Sequence, residues 1–342
     1  MAVTIRDVAA LAGVSPSTVS RTCKNHPSIS RETKEKVRRA MAQLGYEPNI
    51  TPSPFVPQTS QLIGIILPPS SRDVYENAFY LETIRGISQF CNGREYVSTI
   101  VTGQDDEEIL HAVRTLAKDD HAGGFILLYS RENDPVIDYL YSEGLLYVLI
   151  GKAKQYANQT IYIDNDNLLA GQEATEYLYE LGHRKIAYVG SEYTMLFSAE
   201  RKAGYQTALA MHDLPLIPEY CIEVDQVSLD NNEPFHALLK RPDRPTAVVA
   251  SDDILAVALK RVCVQQGLLV PDDLSIISFN NSLFARITSP QLTSIDINSF
   301  QLGIEAASQL INHIENPNLM ATKIIVPHSI IVRGSCQQYL PD

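Results

Sequence analysis

Residues 4–25 read Thr-Ile-Arg-Asp-Val-Ala-Ala-Leu-Ala-Gly-Val-Ser-Pro-Ser-Thr-Val-Ser-Arg-Thr-Cys-Lys-Asn. Val8, Ala9 and Ala12 fall at helical spacing on one apolar face. Gly13 then permits a turn with positive φ, and Val14 plugs the corner. Ser15 is placed to cap a second helix, whose first position suits Pro16. That short helix presents Ser17, Thr18, Arg21 and Lys24 outward. The pattern predicts a helix-turn-helix whose second helix enters a DNA major groove. Two ordinary core helices would have no need of hydroxyl and basic groups there, the types that reach phosphates and base edges.

Ser30 can cap a third helix over Arg31–Leu44, with Val37, Ala40, Met41 and Leu44 as its apolar stripe and Gly45 beyond its end. Residues 1–50 thus read as a three-helix head. The charge divides at the same place. The head holds eight Lys/Arg against four Asp/Glu, net +4, so a chain of −12 leaves −16 on the rest. A basic head on an acidic body fits a nucleic-acid partner for the head alone. Residues 51–60, containing Pro52, Pro54 and Pro57, read as a linker.

From Gln61 onward, β-branched apolar runs alternate with helical patterns. The runs are Leu62–Leu67, Val97–Val101, Gly124–Tyr129, Leu146–Ile150, Lys185–Val189, Ala247–Ala250 and Leu274–Phe279. Thr83–Phe90, Gly171–Leu181 and Ile254–Gln265 have helical periodicity. Such alternation predicts a doubly wound, parallel α/β architecture. Residues 61–342 are too many for one such sheet, so two lobes are expected.

The head closely resembles the LacI/GalR repressors. The resemblance rests on Thr4 to Ser15, then Ser17 to Arg21, then Leu44 to Asn49, which follow that family's T-I-x-D-V-A-x-x-A-G-V-S, S-T-V-S-R and L-G-Y-x-P-N. It extends over essentially the whole chain. Within the family it looks most like the maltose-operon repressors, through Asn77-Ala78-Phe79-Tyr80, Ile163-Asp164-Asn165-Asp166-Asn167 and Ser278-Phe279. It implies a body resembling periplasmic sugar-binding proteins, crossed three times by the chain. Lobe 1 would take about 61–160 plus 291–320, and lobe 2 about 162–289 plus 323–335. A homodimer on operator DNA, controlled by a small sugar in the interlobe cleft, is the implied function. The alternative is a regulator answering to a non-sugar metabolite, with altered coupling to DNA through its proline-rich hinge.

Ligands of open α/β sheets sit at the carboxyl ends of strands. Several expected strand ends carry groups suited to a sugar, which needs bidentate polar partners and an aromatic platform. The resemblance assigns effector contacts to Phe79, Tyr80, Asp164, Arg201 and Asn280, and Tyr129 joins them from the end of its strand. Asn280 stands where the family usually has Asp, so it donates as well as accepts. Asp252 and Asp253 read as structural or interfacial. The candidate DNA contacts are Thr4, Ser15, Ser17, Thr18, Arg21, Asn25 and Phe55.

Phe55 lies in the least family-like segment. Relatives carry A-R-S-L there, a short hinge helix that wedges a leucine into the minor groove. Pro52-Ser53-Pro54-Phe55-Val56-Pro57 should resist that helix, because Pro54 and Pro57 disfavour helical backbone before them. Phe55 can be an apolar wedge or can pack on the body.

Two other functional classes fit the sequence less well. An enzyme is disfavoured because no G-x-G-x-x-G, Walker A, H-E-x-x-H or G-x-S-x-G occurs and the eight histidines are dispersed. A transport binding protein is disfavoured by the basic head and the lack of a signal-like start. Five cysteines without CxxC spacing offer neither zinc nor a disulfide framework. The expectation is a cytoplasmic protein with no cofactor, no metal and no membrane partner.

Overall fold

The computed structural model describes residues 4–23, 29–46, 61–69, 77–118, 121–191, 195–224 and 232–340. The head is built of α1 (Ile5–Ala12), α2 (Pro16–Cys23) and α3 (Arg31–Leu44). Asp7 accepts from the Thr4 amide at 2.8 Å and the Thr4 hydroxyl at 2.7 Å, closing the start of α1. Gly13 ends α1 at φ 67°, in the left-handed region that the turn demands. Ser30 accepts the Thr33 amide at 3.2 Å and so starts α3. Val8, Ala9, Val19, Val37 and Ala40 are buried together, one set from each helix, and Val14 packs against them.

The body holds two six-stranded sheets. The first has the order β11–β5–β4–β3–β1–β2 and is parallel throughout. Its strands are β1 (Leu62–Ile66), β2 (Val97–Val101), β3 (Gly124–Leu127), β4 (Tyr147–Ile150), β5 (Ile161–Asp164) and β11 (Lys323–Ile325). The second has the order β12–β10–β9–β8–β6–β7, parallel except for the β10–β12 pair. It is formed by β6 (Ile186–Ser191), β7 (Cys221–Val224), β8 (Ala247–Ala250), β9 (Ser275–Phe279), β10 (Thr293–Asp296) and β12 (Ser329–Ile331). Helices α4 (Ala78–Gly93), α5 (Asp106–Ala117), α6 (Pro135–Ser142) and α12 (Ser299–Glu315) cover the first sheet. The second is covered by α7 (Asn167–Glu180), α8 (Leu196–Met211), α9 (Glu233–Leu239), α10 (Asp253–Gln265) and α11 (Leu283–Ile287).

Three lobe boundaries differ from the sequence expectation. β5 runs to Asp164 in the first sheet, pairing Val148 with Ile161. β10 belongs to the second sheet, pairing Thr293 with Ile277, and β11 to the first, pairing Lys323 with Tyr162. A short apolar strand reads the same in either sheet, and only the hydrogen-bond ladder decides membership. The chain crosses between lobes after Asp164, after Asp296 and after Ile325. The buried Asn165 amide joins the three crossings, donating to the Ile297 carbonyl at 3.0 Å and the Val326 carbonyl at 2.9 Å.

In each lobe one helix pair meets backbone to backbone. A Cβ on Gly86 of α4 would lie 2.2 Å from the Phe300 oxygen, and one on Gly303 of α12 would lie 2.2 Å from the Thr83 oxygen. The second lobe repeats this between α7 and α8. There a Cβ on Gly171 would lie 2.2 Å from the Arg201 oxygen, and one on Gly204 would lie 2.1 Å from the Leu168 oxygen. The contact presses the backbone of Arg201 against α7.

Candidate functional site

On the head, Ser15 accepts the Thr18 amide at 3.2 Å, as its capping role requires. Its hydroxyl also contacts those of Ser17 at 2.8 Å and Thr18 at 2.9 Å. Thr4, Ser15 and Ser17 are exposed and Thr18 is half-buried, so this edge is open to a partner. Arg21 is not simply outward. Its guanidinium donates to the Ser142 carbonyl at 3.2 Å and to Glu143 at 3.0 Å, at the end of α6. Side-chain spacing within α2 carries no information about a contact 122 positions away. Lys24, Asn25 and Phe55, with Pro52, Pro54 and Pro57, lie outside the described residues.

The second site is a cleft between the lobes, lined by apolar and aromatic side chains with a few convergent polar groups. All six residues singled out for it line it: Phe79, Tyr80, Tyr129, Asp164, Arg201 and Asn280. The fold brings them together because they follow strands or open helices at the same ends of the two sheets. Asn77 accepts the Phe79 amide at 3.0 Å and starts α4, which aims Phe79 and Tyr80 at the cleft. The two rings meet edge to face with centroids 5.2 Å apart. Tyr129 follows β3, Asp164 ends β5, and Asn280 follows β9 at φ 93°.

Arg201 is the polar centre and is only 3% exposed. Its guanidinium lies 4.9 Å from the Phe197 ring centroid and 4.3 Å from that of Phe279. Nε donates to Asn167 Oδ1 at 2.9 Å and Nη1 to the Ser251 carbonyl at 2.6 Å. Burial lowers its pKa to about 10, which still leaves it a cation at neutral pH. Burial also pushes Asp164 up to about 7, with Glu200 adding to the shift, and Asp252 up to about 6. Asp164 Oδ1 accepts from Asn167 at 3.1 Å, while Asp164 Oδ2 and the Tyr129 hydroxyl are buried with no protein partner. Buried polar atoms without partners are rare, and Asp164 lines the cleft, whereas the Tyr129 ring packs into the core with its hydroxyl near Asp134 and Arg131.

Sequence reasoning missed Phe197, Asn165 and Asn167, and set Asp252 aside as structural. Asp252 does cap α10, accepting the Leu255 amide at 2.8 Å, but it also lines the cleft. Its position after β8 was the signal. Phe197 offered none, since nothing local distinguishes it from a core aromatic. At the rim the lobes touch through Lys152 and Glu200 at 2.8 Å, and through the Leu196 amide and Ser130 carbonyl at 3.1 Å. Among the described residues no group of His, Cys, Asp or Glu could hold a metal, and no helix is long and apolar enough to cross a membrane.

A pH effect follows from Asp164. Its folded pKa lies above that of the unfolded chain, so the native state holds the proton more tightly. The stability it contributes is full below the ordinary carboxylate range and is lost as pH rises to about 7. Asp164→Asn should therefore melt close to wild type near pH 4. It should melt higher by about 2–4 °C per kcal/mol of relieved desolvation at pH 8. Calorimetry at several pH values tests this, and a difference that does not change with pH would refute it.

Residues 4–49 match the family model of bacterial regulatory proteins of the lacI family, and residues 175–336 match a periplasmic binding protein-like domain. The HTH-type transcriptional regulator MalR of Streptococcus pneumoniae serotype 4 is 33% identical over 338 residues, covering 97% of this chain and 99% of that protein. Among solved structures, the transcriptional regulator CelR in complex with cellobiose has a TM-score of 0.76 at 27% identity, covering 98% of this chain and 100% of that one. A Staphylococcus aureus structure assigned as a maltose operon transcriptional repressor has a TM-score of 0.75 at 28% identity, covering 82% of this chain and 100% of that one. The full-length relatives are transcriptional regulators rather than enzymes.

Proposed function

This chain belongs to the LacI family of bacterial regulatory proteins, and from that premise we propose that it is a homodimeric repressor of carbohydrate-utilisation genes whose effector is a small sugar. The observation that carries the reading is the interlobe cleft. A buried guanidinium lies against two aromatic rings, and an unpartnered carboxylate oxygen of Asp164 belongs to the same cleft. A sugar supplies both hydroxyls for Asp164 and Asn280 and a C–H face for the Phe79–Tyr80 corner. Maltose or a maltodextrin is the favoured ligand, in view of the likeness to MalR and to the maltose operon repressor structure.

Each head would read one half of a pseudo-palindromic operator, with Ser15, Ser17, Thr18 and Arg21 at the groove. Leu81, 70% exposed on α4, with Val97 and Ile100, 61% and 51% exposed on the edge strand β2, support pairing of two copies through the first lobe. Sugar and operator binding are then reciprocally coupled, typically by about 1–3 kcal/mol. The test is fluorescence anisotropy with DNA from upstream of the chain's own gene, titrated with maltose, maltotriose and cellobiose. A change in operator affinity with one of them is expected. A chain that binds the DNA but responds to no sugar would remove the effector assignment.

Operator binding also requires Arg21 to leave Glu143. The pair is half exposed at the carboxylate, and such pairs contribute about 0.2–1 kcal/mol. Glu143→Ala should therefore tighten operator binding by about 1.4- to 5-fold, in the anisotropy assay at low salt. Weaker binding would show that Glu143 assists the head instead.

A further inference from the structure

We infer that Asp253 is a positioning residue for the cleft, clamping the Phe279–Ser282 turn so that the Asn280 amide is presented to a bound effector. The inference rests on the reading of the cleft as an effector site. Asp253 does not itself line the cleft and is 1% exposed. Its neighbour Asp252 faces the cleft, so the two consecutive acids do different work.

The clamp is built from one carboxylate. Asp253 Oδ1 accepts from the Ser278 hydroxyl at 2.5 Å and the Ser294 hydroxyl at 2.9 Å. Oδ2 accepts the Ser282 amide at 2.7 Å. Ser294 in turn accepts the Asn281 backbone amide at 3.0 Å, and the Asn280 backbone N–H donates to the Ile295 carbonyl at 2.9 Å, which leaves the Asn280 side-chain amide for the cleft. The turn is thus held at both ends and in its middle. What it holds is unusual backbone. Asn280 and Asn281 sit at φ 93° and 47°, where L residues persist only when their surroundings fix them. The Asn281 side chain is committed to Asp296 at 2.9 Å and to Arg333 at 2.5 Å. Asn280 is the turn residue that reaches the cleft.

Three donors converge on Asp253, so the residue there must accept at both oxygens. An amide at 253 turns one acceptor into a donor and faces it with another donor. The turn then relaxes and the Asn280 amide loses its aim. Position 253 controls the selectivity of position 280 without touching the ligand.

The test uses the full chain with Asp253→Asn, which preserves volume, and Asp253→Glu, which keeps the charge at a different reach. Hydrogen exchange of the Asn281 and Ser282 amides should quicken about tenfold in Asp253→Asn, while β8 and the rest of β9 keep wild-type protection. By calorimetry with maltose and cellobiose, Asp253→Asn should weaken the better-bound disaccharide about tenfold, with Asp253→Glu intermediate. Asn280→Ala should cost about as much, and the double variant no more than either alone, because the two act through one contact. Wild-type exchange in the turn overturns the inference. So do additive losses, which mark a general effect on stability. If the wild-type chain binds neither disaccharide, the sugar reading falls, and the exchange measurement still decides the clamp.

Discussion

An Arg201→Ala chain should hold its operator with wild-type affinity and cease to respond to the sugar. Hydrogen bonds to charged groups contribute about 1.5–3 kcal/mol each, and a guanidinium offers several in one plane. Its removal also takes a donor from Asn167 Oδ1 and from the Ser251 carbonyl, which it now joins across the cleft wall. It takes the nearby cation from Asp164 and Asp252, whose pKa values should rise further. The combined loss should weaken sugar binding by roughly 100-fold or more, by calorimetry. Arg201→Lys keeps the charge but not the planar fork, and lies between Phe197 and Phe279 where a flat cation stacks best. It should recover only a minor part of the affinity. Operator binding should be unaffected because the head has its own three-helix core and meets the body at Ser142 and Glu143 of the first lobe rather than at Arg201. Wild-type sugar affinity in Arg201→Ala would remove this residue from the effector site.

The largest loss of stability is expected from Gly204→Val. The first added carbon would lie 2.1 Å from the Leu168 oxygen and 2.6 Å from the Gln172 nitrogen, both backbone atoms of α7. Neither can swing aside as a side chain would, so α7 and α8 must separate. Overpacking of a core typically costs about 1–3 kcal/mol and occasionally more, and a backbone-to-backbone clash belongs at the upper end. A fall in Tm of about 10 °C is expected on that scale. Separation would also move Arg201, whose backbone rests on Gly171. Gly204→Val should therefore bind sugar poorly even at temperatures where it stays folded. Gly93→Ala, at the end of α4 with nothing within 4 Å of the new carbon, is the control and should melt near wild type. A Gly204→Val chain melting within about 2 °C of wild type would show that the helices have room to spare.

The head was legible almost in full because its determinants are local. Gly13, Ser15, Pro16, Ser30 and Gly45 each act within a few residues of themselves. Tyr129, Asp164 and Asn280 were legible for a related reason, since a strand's end can be read from its own apolar run, whereas Phe79, Tyr80 and Arg201 sit in helices and were pointed to by the family resemblance. Sheet membership was not. Ile161–Asp164 and Lys323–Ile325 lie side by side in one sheet although 161 positions separate the paired residues Ile163 and Ile324. The engagement of Arg21 with Glu143, the sandwich of Arg201 by Phe197 and the clamp at Asp253 are likewise contacts between distant segments. A one-dimensional pattern records which residues want burial or a partner, and it does not record who the partner is.

The three crossings have a consequence for how the chain is made. Each sheet ends on a strand drawn from the last part of the sequence, β11 for the first and β12 for the second. Neither lobe is a continuous piece of chain that can close while the other is still emerging from the ribosome. The head, by contrast, has all its helices by Leu44 and can fold at once. A product that stops short of Lys323 would carry a finished DNA-reading head on two sheets that each expose a raw edge, open to pairing with other chains.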